Sequence, residues 1–303
     1  MTTIATTRDA IREITNIANH EKYRTTNKTN HEQDKPRTRQ TTKRTEPAAG
    51  MSRVVVVTGG GRGIGRAIAL ALAEPEGHVI VTGRTAAQLD STAAEIRARG
   101  AEATALPMDV ADEASVAHGF GTLHGRVSHI DVLVNNAGVG GGEAVQGSDV
   151  ARWKRTIDTN LTGMYLVTRQ ILPFMRDGGR VINMSSVLGR FGVAKYTAYC
   201  ASKHGVIGFT RALAHELVKR HITVNALSPG WVETEMAEHG MTLGAQHSAL
   251  SFDEFKARAL AAVPIKRMID PHEVAALVRF LCSPEASAIT GQTYNICGGQ
   301  TMD

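Results

Sequence analysis

The sequence predicts an α/β fold built on a parallel sheet buried on both faces. Three observations carry that expectation. Val54-Val-Val-Val57 is an unbroken β-branched run with no polar alternation, as a strand covered on both sides requires. It runs straight into Thr58-Gly-Gly-Gly-Arg-Gly-Ile-Gly65 and then into an apolar helical stretch over 66–73. The same order of strand, turn and helix recurs along the rest of the chain.

At 303 residues, 42% of them apolar, the chain is long enough for one large domain or two small ones. Its net charge of +5 is unevenly placed: residues 1–50 hold ten Lys/Arg and six Asp/Glu, and residues 51–303 hold 24 and 23. The globular part is nearly neutral and shows no basic stripe, so no nucleic-acid partner is expected. Cys200, Cys282 and Cys297 are odd in number and lack metal-ligand spacing; a reducing compartment and no metal site are expected. No apolar run reaches the roughly 18 residues that span a bilayer. The expectation is a soluble, cytoplasmic protein without a membrane partner.

Residues 1–50 are rich in Thr, Asn, Lys and Arg, with few large apolar side chains after Ile17. Such a leader buries too little surface to offset its ordering entropy and is predicted to be disordered. Ile11, Ile14 and Ile17 share a face of a helix too short to stand alone. There is no apolar signal core, the six acids argue against a transit peptide, and Met51 is a candidate start.

Within the glycine-rich turn, Gly59, Gly63 and Gly65 permit a tight turn, backbone approach to a pyrophosphate, and close packing of helix on strand. The helix that follows turns its free N–H groups and positive dipole end toward the phosphates. Thr58, Arg62 and Ile64 complete this expected phosphate site. A second strand at 78–82 ends at Gly83-Arg84. A site for NAD would place an acid here, about 20 residues on, to hold the ribose 2′-hydroxyl. Two guanidiniums, Arg62 and Arg84, would instead clamp a 2′-phosphate, so NADP(H) is the expected cofactor; the alternative is that both arginines are merely solvated.

A helix over 86–99 and a strand over 103–106 lead to Asp109-Val110. Asp109 either accepts from an adenine amino group or caps the helix expected over 112–124. The strand over 131–134 ends in Asn135-Asn-Ala-Gly138. Asn136, Ala137 and Gly138 suit close approach of a cofactor, although the same string serves equally as a turn. A long helix is expected over 149–175, kinked at Asn160-Leu-Thr-Gly163, where Asn and Gly are unfavourable. A strand over 180–184 then ends at Ser185-Ser186.

Tyr199-Cys-Ala-Ser-Lys203 follows, opening a helix over 197–220. Side chains at i and i+4 share a face. A phenol of unperturbed pKa near ~10 becomes a usable acid or base when an ammonium beside it favours the phenolate. Beyond a strand over 222–226 lies Pro229-Gly230-Trp-Val-Glu-Thr234. Residues 231–262 mix apolar and small side chains (Trp231, Met236, Met241, Leu243, Leu250, Phe252, with Gly240 and Gly244). That suits either a mobile lid over an apolar substrate or ordinary packing helices. A helix over 271–282 and a strand over 293–296 close the chain.

TGGGRGIG, NNAG and YCASK, in this order and spacing, resemble the short-chain dehydrogenase/reductase family in its compact single-domain branch, over about residues 51–303. The resemblance implies a Rossmann-type doubly wound sheet of seven parallel strands in the order 3-2-1-4-5-6-7, flanked by helices. It implies a homotetramer paired through the last elements. It also implies roles. Asn160 holds a water that extends a proton relay, Ser186 binds the substrate carbonyl, and Ser185 is a structural neighbour. Tyr199 is the proton donor, and Lys203 stabilises its phenolate and binds the nicotinamide ribose. Pro229 and Gly230 form the turn against the nicotinamide, with the Val232 backbone and Thr234 hydroxyl as carboxamide or phosphate contacts.

The strings at 202–210, 263–265 and 295–299 resemble the type II polyketide ketoreductases, which reduce one ketone of a carrier-bound chain with NADPH. Gly140-Gly-Gly142 would leave room for a bulky substrate, but Gly140 stands where that group has proline, leaving the stereochemistry open. The alternatives are a 3-oxoacyl-[acyl-carrier-protein] reductase, a general alcohol or sugar dehydrogenase, and a cofactor-sensing regulator without turnover.

Overall fold

The computed structural model describes residues 52–123 and 125–302. The leader, Met51 and His124 lie outside the described residues. The first strand, β1 (Val54–Thr58), enters the middle of the sheet. Its four valines are buried, and they divide by parity. Val55 and Val57 join one apolar core and Val54 and Val56 the other, because successive side chains of a strand point to opposite faces. Each contributes roughly 1.5–3 kcal/mol, which is why the run needs no polar alternation.

The remaining strands are β2 (His78–Gly83), β3 (Glu102–Pro107), β4 (Ile130–Asn135), β5 (Met175–Met184), β6 (Thr223–Pro229) and β7 (Thr293–Ile296). They form one seven-stranded sheet in the order β3-β2-β1-β4-β5-β6-β7, and every adjacent pair is parallel. This is the doubly wound order that the resemblance implies. Helices α1 (Gly63–Ala71) and α2 (Ala86–Ala98) pack on one face through Ile68, Leu89 and Ile96. Helix α3 (Glu113–Gly121) packs on the other through Val116 and Phe120. Strand order reverses between β1 and β4, and a crevice opens at the carboxyl ends of the strands there.

The helix expected over 149–175 is instead three pieces. Helix α4 (Val150–Ile157) runs into a π-helical turn (Asp158–Thr162), which contains Asn160, and continues as α5 (Gly163–Ile171). Gly163 is required there, because a Cβ would stand 2.8 Å from the Val110 carbonyl oxygen. A 3₁₀ turn (Leu172–Phe174) ends the helix, and Met175 already belongs to β5. Pro173 has no N–H to continue an α-ladder, which places the boundary earlier than apolar periodicity alone suggests.

Helix α6 (Thr197–Leu217) carries Tyr199 and Lys203. The segment over 231–262 folds into α7 (Glu235–Ser248) and α8 (Phe252–Ala261), the latter held by a capping box of Ser251 and Glu254. The two pack so closely that a Cβ on Gly244 would stand 2.2 Å from the Phe255 ring. Met241, fully buried with Met268 and Ala237, is a packing residue of this pair. Helix α9 (Pro271–Leu281) starts with Pro271 behind an Asp270–Glu273 capping box and joins α1 and β1 in one core. Among the described residues no helix is long and apolar enough to cross a membrane.

Candidate active site

The crevice is a cleft of about 780 Å³ lined mainly by the loops that follow strands β1 through β7. Its floor at the glycine turn is shaped by close approach. Gly59 has φ +65°, and a Cβ on Gly65 would stand 2.2 Å from the Gly59 carbonyl oxygen. No side chain caps α1, and its first turn holds no acid. The free N–H groups and positive end of the helix therefore meet the cleft, which fits a pyrophosphate. Arg84 is exposed at the rim and has no ion pair among the described residues. Arg62 lies across from it but is paired with Glu235 at the start of α7.

The two loops at the cleft floor are tied together. Thr58 Oγ1 accepts from the backbone N–H groups of Asn136 and Ala137, each at 3.0 Å. Asn136 Nδ2 donates to the carbonyls of Thr58 (3.0 Å) and Gly59 (3.2 Å). Thr58 is thus buried and joins the loops from behind the cleft wall. Asp109 faces the cleft beside Val110, and its carboxylate accepts from the Ala111 N–H at 3.0 Å. The cap of α3 is Asp112, which leaves Asp109 toward the cleft.

Asn160 is 2% exposed and does not line the cleft. Its Oδ1 accepts from the Val139 N–H (2.8 Å), and its Nδ2 donates to the Val139 carbonyl (3.0 Å) and to Ser202 Oγ (3.1 Å). The amide is engaged at both its oxygen and its nitrogen. It pins the loop after β4 to α6.

Ser186, Tyr199 and Lys203 converge on the cleft. Ser186 Oγ accepts from the Leu188 N–H at 3.2 Å and sits beside the Tyr199 phenol. Lys203 is 4% exposed, and its Nζ lies 5.6 Å from the centroid of the Tyr199 ring and donates to the Met184 carbonyl at 2.8 Å. Burial lowers the Lys203 ammonium to about 8. Burial also raises the Tyr199 phenol, and the Ser186 hydroxyl draws it only partly back. The Lys203 ammonium lies over the ring and donates one of its N–H groups to the Met184 carbonyl, and desolvation is the largest influence on the phenol. Ser185 donates to the Lys203 carbonyl at 2.9 Å and fixes α6 against β5.

Pro229 and Gly230 form the far wall. A bridge between Val232 and Ile269 uses the Trp231 carbonyl and Glu233 N–H, which leaves the Val232 N–H and carbonyl on the opposite side. The Thr234 hydroxyl caps α7 by accepting from Ala237 N–H at 3.2 Å, and donates to the Val232 carbonyl at 3.3 Å. Of the glycines after β4, Gly141 faces open space, whereas a Cβ on Gly142 would stand 2.8 Å from the Tyr196 ring. Trp231, Met236 and Phe255 bring α7 and α8 to the cleft, while Leu243, Leu250 and Phe252 do not reach it. Sequence reasoning missed Gln300, which lines the cleft beside Gly230 with a buried, unpaired Oε1. Its signal was available: a polar residue directly after Gly298-Gly299, at the carboxyl end of β7, borders the crevice in an open α/β sheet.

Residues 59–301 match the family model described as enoyl-(acyl carrier protein) reductase. The chain belongs to the short-chain dehydrogenase/reductase family. Among its relatives is a protein of Streptomyces virginiae named as a ketoacyl reductase of the monensin polyketide synthase, 42% identical over 82% of this chain and 97% of the relative. A 3-oxoacyl-[acyl-carrier-protein] reductase of Synechocystis is 40% identical over 83% and 98%. The crystal structure of a variant of actinorhodin polyketide ketoreductase with NADPH superposes with a TM-score of 0.78 at 40% identity, covering 82% of this chain and 97% of that one.

Proposed function

We propose that the protein is an NADPH-dependent ketoreductase that reduces a polyketide-type ketone to a secondary alcohol. The observation that carries this reading is the convergence of Ser186, Tyr199 and buried Lys203 on a cleft whose glycine floor fits a pyrophosphate. Bound NADPH would supply the hydride. Ser186 and Tyr199 donate hydrogen bonds to the substrate carbonyl oxygen and polarise it. An ordinary phenol carries its proton at neutral pH, and Tyr199 gives that proton to the oxygen as charge develops there. Lys203, held by the Met184 carbonyl, stabilises the phenolate left behind. Asn160 is a positioning residue for the loop at Val139. Arg84 and Arg62 favour a phosphorylated ribose, and Val232 offers both a donor and an acceptor to a carboxamide.

The polyketide assignment is supported by the monensin and actinorhodin relatives and by the open space at Gly141. A linear 3-oxoacyl substrate on an acyl carrier protein is the second reading, favoured by the Synechocystis relative. Turnover of trans-1-decalone, a fused bicyclic ketone, against an acetoacetyl thioester separates them. Preference for the bicycle is expected, and preference for the linear thioester would refute the polyketide reading. We further place the protein in the cytoplasm as a homotetramer. The exposed Val150 and Trp153 of α4 and Phe280 of α9 support burial between copies. In the same reading α7 and α8 form a lid that moves over the substrate.

A further inference from the structure

We infer that Glu235 sets how strongly the cleft prefers a 2′-phosphorylated dinucleotide, by competing with that phosphate for Arg62. The inference rests on the reading of the cleft as a site for NADP(H). Arg62 stands at the turn into α1, and Glu235 is the first residue of α7; their side chains form an ion pair across the cleft mouth. The two segments touch beside it, since a Cβ on Gly63 would lie 3.2 Å from Thr234 Cγ2. Of the two guanidiniums at the mouth, Arg84 is free of ion pairs among the described residues and Arg62 is not.

The pair is poised to exchange. Its side chains are 61% and 69% exposed, and an exposed pair of this kind changes an equilibrium by no more than about fivefold. Glu235 also lies in the first turn of α7, where the helix dipole favours a carboxylate without help from Arg62. Releasing the arginine therefore leaves the acid in a favourable place. A 2′-phosphate arrives with about −1.5 to −2 charges and needs the guanidinium that Glu235 holds. A dinucleotide with a free 2′-hydroxyl does not. Glu235 thus penalises the phosphorylated cofactor alone.

Dissociation constants for NADPH and NADH, measured by fluorescence titration of the full chain, test this. Glu235→Gln should tighten NADPH by about two- to fivefold and leave NADH unchanged. The gain should vanish in an Arg62→Ala background, where nothing remains to compete for. Equal tightening of both dinucleotides, no change for either, or the same gain without Arg62 would overturn the competition while leaving the cofactor assignment intact. Failure of the unmodified protein to bind NADPH would remove that assignment and the inference together.

Discussion

Burying Lys203 as an ammonium should make the protein less stable than a variant that lacks the charge, and the difference should depend on pH. The fall from 10.5 to about 8 corresponds to about 3 kcal/mol at 1.36 kcal/mol per unit. Below pH 8 the folded and unfolded chains both carry this proton, and the folded one bears the full penalty. Between pH 8 and 10.5 only the unfolded chain keeps it, so stability rises with pH, and above that range the penalty is gone. Lys203→Met keeps the aliphatic stem and removes the charge. It also strips the Met184 carbonyl of its donor, at about 1–3 kcal/mol. The net expectation at pH 7 is a gain of about 1–2 kcal/mol, or about 2–8 °C in melting temperature for a domain of this size, together with loss of turnover. Because the carbonyl cost does not titrate, the cleaner measurement is the gap between variant and wild type, followed by thermal unfolding without cofactor from pH 7 to pH 10. The difference should move by about 2–3 kcal/mol in favour of the wild type, so that the variant's advantage at pH 7 is lost or reversed at pH 10. A gap that stays constant would refute the claim that Lys203 is held charged against its own solvation.

Tyr199→Phe keeps the ring but removes the proton donor, so turnover should drop by about 10²–10⁴-fold while NADPH affinity is retained. Single-turnover kinetics beside a binding titration checks this, and intact turnover would remove Tyr199 from the mechanism. Gly65→Ala places a methyl 2.2 Å from the Gly59 carbonyl oxygen; the turn must open, and both cofactor binding and melting temperature should fall. Unchanged NADPH affinity in that variant would mean that the pyrophosphate does not sit at this turn.

The sheet was legible because its strands state their environment in their composition. A run such as Val54–Val57 is apolar at every position only where both faces are covered, and the order of strands followed from the resemblance carried by the glycine turn and the tyrosine helix. Where the reading slipped, a tertiary or local backbone effect overrode periodicity. The π-helical turn at Asn160 is set by contacts with the loop after β4 and by Gly163 against Val110, neither of which is visible in a window of sequence. Residue types at the site were also more legible than their partners. Arg62 and Thr58 stand in the right place, but a distant carboxylate in α7 and two backbone amides in the next loop engage them. Desolvation of Tyr199 was equally hidden, since it depends on what the whole fold stacks above the phenol.

The position of the tyrosine helix is fixed by polar groups beneath it rather than by apolar packing alone. Asn135 at the end of β4 donates to Thr168 of α5 at 3.0 Å and to Asn183 of β5 at 2.9 Å. Asn183 donates in turn to Thr210 of α6 at 3.0 Å, and Thr210 to the Val206 carbonyl at 2.7 Å. All four side chains are 5% exposed or less. Apolar contacts would tolerate a sliding of α6 over the sheet, because dispersion varies smoothly with displacement. A buried hydrogen-bonded chain does not, since each lost partner leaves a desolvated dipole costing about 1–3 kcal/mol. The ladder therefore fixes the register of α6 on β5, and with it the reach of Tyr199 toward Ser186. Ser185 adds a second anchor through the Lys203 carbonyl, and Asn160 a third through Ser202. Three separate polar ties on one helix, two of them within the stretch that bears Tyr199 and Lys203 and one two turns on at Thr210, are what a proton donor requires when a displacement of about 1 Å can cost 10²-fold in rate.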